Sequence, residues 1–123
     1  MQVLSPSRGK DAVSSSRLLI VDDDAYLRAT LRQQLAVEGF SDVFEVGVVA
    51  DLDNALSHAN PDLILLDIQM PDGNGIDICQ RLRRNGFAKP IVMLTAKGAE
   101  VILFLGLKLA LMIISPSRFG LAS

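Results

Sequence analysis

Leu63-Ile64-Leu65-Leu66 is an unbroken apolar run that closes on a carboxylate, Asp67, and leads into Pro71-Asp72-Gly73-Asn74-Gly75. A run of that length bounded by turn formers reads as a strand buried on both faces, as in a parallel sheet. In open α/β sheets, ligands bind in the crevice outside the carboxyl ends of the strands, and Asp67 stands at such an end. Taken alone, Asp67 reads better as a cap of the turn that follows. A second run decides between these. Leu18-Leu19-Ile20-Val21 terminates in Asp22-Asp23-Asp24, and adjacent carboxylates repel unless a cation is bound or some are protonated. An all-oxygen site suits Mg²⁺, which takes one or two carboxylates and completes its shell with waters and phosphate oxygens. A third run, Ile91-Val92-Met93-Leu94, ends in Thr95, a hydroxyl. Strands ending in an acid pair, an acid and a hydroxyl describe a phosphoryl-transfer site.

Leu-Ile-Val-Asp-Asp-Asp (19–24), Pro-Asp-Leu-Ile-Leu-Leu-Asp-Ile-Gln-Met-Pro-Asp-Gly-Asn-Gly (61–75) and Pro-Ile-Val-Met-Leu-Thr-Ala (90–96) occur in this order. With them the chain resembles the receiver domain of the response regulators of two-component systems, over residues 17–100. The resemblance implies an α/β fold, a doubly wound parallel sheet of the flavodoxin-like kind. It implies that Asp67 is phosphorylated by a sensor histidine kinase or phosphotransfer protein. It places Mg²⁺ on Asp22, Asp23, Asp67 and the backbone carbonyl of Gln69, and a phosphoryl contact on Thr95. Asp24 reads as the N-cap of the next helix. The chain is then a signalling domain, with no enzymatic activity beyond its own phosphoryl transfer and dephosphorylation. A phosphate-independent docking module is the alternative. An aspartate-dependent phosphatase ranks last, because Gln69 stands where that class carries a second Asp.

The 123 residues fit one domain. A formal net charge of −2 argues against a nucleic-acid-binding surface. The single cysteine, Cys79, excludes an internal disulfide and reads as a small hydrophobe. Residues 1–16 are Ser-rich, lack the apolar core of a signal peptide and read as a disordered leader of a cytoplasmic protein. A misassigned start codon is the alternative there. Leu27, Leu31 and Leu35 mark one face of a first helix that Gly39 ends, with Arg28 and Arg32 on a solvated face. Val43 to Val49 suggests a second strand interrupted at Gly47, and a helix follows over 52–59, stopped by Asn60-Pro61. His58 near its end reads as a surface residue. Pro71 to Gly75 reads as a flexible turn over the site. Ile76, Ile78, Cys79 and Leu82 give the stripe of a third helix, with Arg81, Arg83 and Arg84 outside.

Residues 101–123 depart from the family. None of the 14 acidic residues lies there, and Val101 to Ile114 is apolar except for Gly106 and Lys108. That run is too short for a membrane span, which needs about 20 residues. A receiver's last strand ends in Lys-Pro, whose lysine contacts the phosphoryl group; Ser115-Pro116-Ser117 stands here instead. The expectation is an incomplete fold, its final strand and helix replaced by an aberrant apolar tail. Loss of one base near codon 100 explains it: permitted codons read in the shifted frame spell an amphipathic helix, an aromatic strand position and Lys-Pro. The rival is an unrelated hydrophobic segment, and the DNA around codon 100 decides between them. Without the last strand the sheet has an uncovered edge beside the Thr95 strand, open to self-association.

Overall fold

The computed structural model describes residues 16–94. The leader over 1–15, Thr95, the tail over 101–123 and the sheet edge beyond Leu94 lie outside the described residues. Among the described residues four strands form one parallel sheet: β1 (Arg17–Val21), β2 (Asp42–Val46), β3 (Leu63–Asp67) and β6 (Ile91–Leu94), in the order β2-β1-β3-β6. The helices between them are α1 (Ala25–Val37), α2 (Leu52–Ala59) and α3 (Gly75–Arg84). A 3₁₀ turn, Val49–Asp51, precedes α2, and a small antiparallel hairpin, β4 (Gln69–Met70) with β5 (Gly73–Asn74), links β3 to α3. Crossing from β1 out to β2 and back to β3 is the doubly wound order of flavodoxin-like sheets.

The apolar runs behave as central parallel strands should. Leu18 to Val21 and Leu63 to Leu66 are all fully buried. Successive residues point to opposite faces of a strand, so each run feeds two cores. Leu18, Ile20, Leu63 and Leu65 pack with Leu31 and Leu35 of α1 and with Phe40. Leu19, Val21, Ile64 and Leu66 pack on the other face with Leu52, the first residue of α2, and with Ile78 and Leu82 of α3. Truncating one of these leucines to alanine costs about 2–5 kcal/mol, a large share of the stability of a domain this small.

Chemistry at the element ends matches the expected boundaries. Asp24 caps α1, its Oδ1 accepting from the N–H groups of Tyr26 at 3.0 Å and Leu27 at 3.1 Å. Gly39 adopts φ 94° and lets Phe40 N–H reach the Leu35 carbonyl at 2.9 Å. Asn60 ends α2 with φ 47°. Several expectations need correction. β2 stops at Val46, short of Val48 and Val49, because residues 49–51 already turn toward α2. Ile76 is 51% exposed, whereas Gly75, Ile78 and Leu82 are buried. At 3.6 residues per turn 75, 78, 79 and 82 share a face, while 76 lies about 200° from 78. Arg28 is not solvated: its side chain is only 19% exposed. Arg81 pairs with Asp53 at 3.2 Å, and Arg83 Nη1 donates to the carbonyls of Phe87 and Lys89 past the end of α3. His58 is exposed as expected, edge-on to Phe44. Among the described residues, no helix is long and apolar enough to cross a membrane.

Candidate metal and phosphoacceptor site

Parallel register builds the site. Leu18 pairs with Leu63 and Val21 with Leu66, so Asp22 and Asp67 follow the last pair and leave neighbouring strands at one level. Asp22, Asp23 and Asp67 each place an oxygen within 4.8 Å of the others. Opposite ligands of a Mg²⁺ ion at its usual 2.0–2.1 Å stand about 4.2 Å apart, so three such oxygens are at the scale of one coordination shell. The donor set is all carboxylate, as a hard divalent cation prefers. The residues present therefore fit a magnesium ion.

Burial grades across the cluster. Asp22 is 3% exposed, Asp67 is half-buried and Asp23 is exposed. Burial pushes the Asp22 carboxyl up to about 6, helped by the charges of Asp67, Asp23 and Asp24, while the Asp24 N–H bonded to it pulls the other way. That N–H meets Asp22 Oδ1 at 2.8 Å. A pocket that holds a carboxyl this unfavourably when bare is one that a cation would relieve.

Asp67 Oδ1 accepts the N–H of Gln69 at 3.2 Å, so the first residue of β4 helps to orient it. Gly75 N–H donates to the Ile68 carbonyl at 2.7 Å. A Cβ on Gly75 would overlap the Asp67 carbonyl oxygen and lie 2.8 Å from Ile68 Cα, so only glycine fits there. The segment over 71–75, read from sequence as a flexible turn, is braced instead. Asp72 accepts the N–H groups of Val49 at 2.9 Å and Ala50 at 3.2 Å, and Gly73 abuts the Val49 side chain. These backbone bonds, that of Val49 foremost, hold the Asp72 carboxyl below its ordinary range against the opposing effect of burial. β6 runs beside β3 with Leu94 paired to Asp67, but Thr95 itself lies outside the described residues.

Of the residues expected at the site, the structure brings together Asp22, Asp23 and Asp67, and sets the N–H of Gln69, not its carbonyl, against Asp67. Sequence reading missed Arg28, which bonds the Asp22 carbonyl and the Glu45 side chain, and Asp72, which bonds backbone N–H groups of a distant turn. The family model of the response regulator receiver domain matches residues 18–112.

The chain belongs to the response regulator receiver family.

As a receiver domain it is a component of two-component signalling. It is 38% identical over 110 residues to the alkaline phosphatase synthesis transcriptional regulatory protein SphR of Synechococcus elongatus, covering 80% of this chain and 41% of SphR. It is 46% identical over 92 residues to the DNA-binding response regulator MtrA of Mycobacterium bovis, covering 75% of this chain and 40% of MtrA. The chain therefore spans about two fifths of the length of these relatives. Among solved structures it is similar to the MaeR response regulator bound to beryllium trifluoride, at 33% identity and a TM-score of 0.63, over 76% of this chain and 78% of that one. It is also similar to the BeF3-activated N-terminal receiver domain of Klebsiella pneumoniae RstA, at 27% identity and a TM-score of 0.61, over 76% and 78%.

Proposed function

We propose that this receiver accepts a phosphoryl group on Asp67 from a histidine kinase or phosphotransfer protein. Asp22, Asp23, Asp67 and the backbone carbonyl of Gln69 would hold Mg²⁺, and Thr95 would contact the phosphoryl group. One observation carries the reading: carboxylate oxygens from two separate strand ends lie within 4.8 Å of one another. In the transfer an Asp67 oxygen attacks phosphorus, the P–N bond to the donor imidazole breaks, and its electron pair stays on the ring nitrogen, which takes up a proton. The incoming group is anionic and meets a cluster already anionic, which opposes the reaction in the bare site. Bound Mg²⁺ supplies the charge neutralisation and templating that such a transfer needs. The chain's own groups fix the acceptor: the Gln69 N–H orients Asp67, and the Asp24 N–H orients Asp22. MaeR's binding of beryllium trifluoride, a stand-in for a phosphoryl group, supports this chemistry on the shared fold.

Residues 96–123 hold no Lys-Pro pair, so the lysine that the resemblance would set against the phosphoryl group has no counterpart there, as a frameshift near codon 100 would cause. Phosphorylation and its coupling to an output are then weak. The relatives' names point to a DNA-binding output carried on a longer polypeptide, with nucleic acid contacted outside this chain. The missing lysine also favours one other reading, a pseudo-receiver that docks a partner without phosphate.

Incubating the full chain with acetyl phosphate and Mg²⁺ tests the assignment. We expect sub-stoichiometric labelling that disappears on chelation and in Asp67→Asn. Label that survives Asp67→Asn would move the acceptor elsewhere, and full labelling with a normal conformational response would refute the impairment. A cellular effect indifferent to Asp67→Asn would favour the docking module.

A further inference from the structure

Arg28 lies one helical turn past the cap of α1 and reaches back over the end of β1. Its Nη1 donates to the Asp22 backbone carbonyl at 2.6 Å and its Nε to Glu45 Oε1 at 2.9 Å. Arg32 holds the other Glu45 oxygen at 2.6 Å and also donates to the Val43 carbonyl at 2.7 Å. Glu45 is thus fixed between two guanidinium groups. Gly47 leaves the space this arrangement needs, since a Cβ there would stand 3.2 Å from Arg28 Nη1. The Asp22 peptide is gripped on both sides, by Arg28 at its carbonyl and by the Val46 carbonyl at its N–H, 3.0 Å away.

We infer that Arg28 is a positioning residue of the metal corner, aiming the buried Asp22 carboxylate by fixing the backbone from which it projects. This rests on the Mg²⁺ reading above. A planar fork serves two acceptors in fixed directions, which a lysine ammonium does not reproduce. Simple charge counting predicts the opposite effect: removing a cation beside an acidic cluster tightens cation binding.

Titration calorimetry of Mg²⁺ into the full chain separates the two. Arg28→Gln is expected to bind Mg²⁺ about 10-fold more weakly, the low end of the range for groups that orient metal ligands. Arg28→Lys, which keeps the charge and guards against misfolding of the first variant, is expected to weaken binding in the same direction. In metal-free NMR spectra of both variants the Asp22 and Asp23 amide signals should move. Tighter binding in Arg28→Gln, or unchanged binding and unchanged amides in Arg28→Lys, overturns the inference alone. Absence of Mg²⁺ uptake by the unsubstituted chain overturns the proposed function and this inference together.

Discussion

Asp22 must ionise where water is scarce. Its carboxyl titrates near 6 in the fold, above the 3.8 of an unperturbed aspartate. The folded state therefore binds this proton more tightly than the unfolded chain does. The stability it contributes is complete below pH 3.8 and is lost as pH rises through about 6. After allowance for the solvent-open mouth, the loss is on the order of 1–2 kcal/mol. Denaturant melts in Mg²⁺-free buffer between pH 4 and 7 should show this decline, and Asp22→Asn should flatten it. Glu45 acts in reverse: burial raises its carboxyl, but hydrogen bonds and charge from Arg32 and Arg28 outweigh that and lower it. Its contribution is present at neutral pH and fades in acid, so the comparison with Asp22→Asn isolates the site. The acids themselves were legible because each ends an apolar run. Arg28 was not, because helical periodicity reports which residues share a face and not which loop folds over that face.

Among the elements, the β4–β5 hairpin is the least self-sufficient, with two residues in each strand. Hairpins of that size do not hold in water unaided. Its supports are Met70, which is buried, the Asn74 cap on α3 through Ile76 N–H at 2.7 Å, and the Asp72 carboxylate on the 3₁₀ turn. Asp72→Ala should raise hydrogen exchange at the Val49 and Ala50 amides while leaving the amides of β1 protected; unchanged exchange at 49 and 50 would mean that the two loops do not depend on this contact. The turn formers over 71–75 were visible in the sequence, but composition cannot tell a loose turn from a braced one. The bracing comes from residues 49 and 50, more than twenty positions away. The third helix is legible in the sequence, yet its apolar stripe reads from Ile76 because an isoleucine signals burial and a glycine does not. Gly75 is the buried residue because the backbone of β3's exit leaves room for nothing larger.

At the scale of the molecule, the parallel sheet of the described residues collects its acidic ends on one rim, so a cation bound there would tie β1 to β3. Any ligand that binds the folded state alone stabilises it by mass action, by about 2.7 kcal/mol at 100 times its dissociation constant. Thermal melts should therefore rise with Mg²⁺ concentration in the unsubstituted chain and not in Asp22→Asn combined with Asp67→Asn. The winding itself was readable from three apolar runs alternating with helical segments. Gly75 has one more consequence. The Asp67 carbonyl and the first residue of α3 meet with no slack, like gears cut without backlash. Any shift of the peptide that follows Asp67 must be taken up by the base of that helix, so the proposed chemistry on its carboxylate would have a mechanical exit that does not pass through the far edge of the sheet.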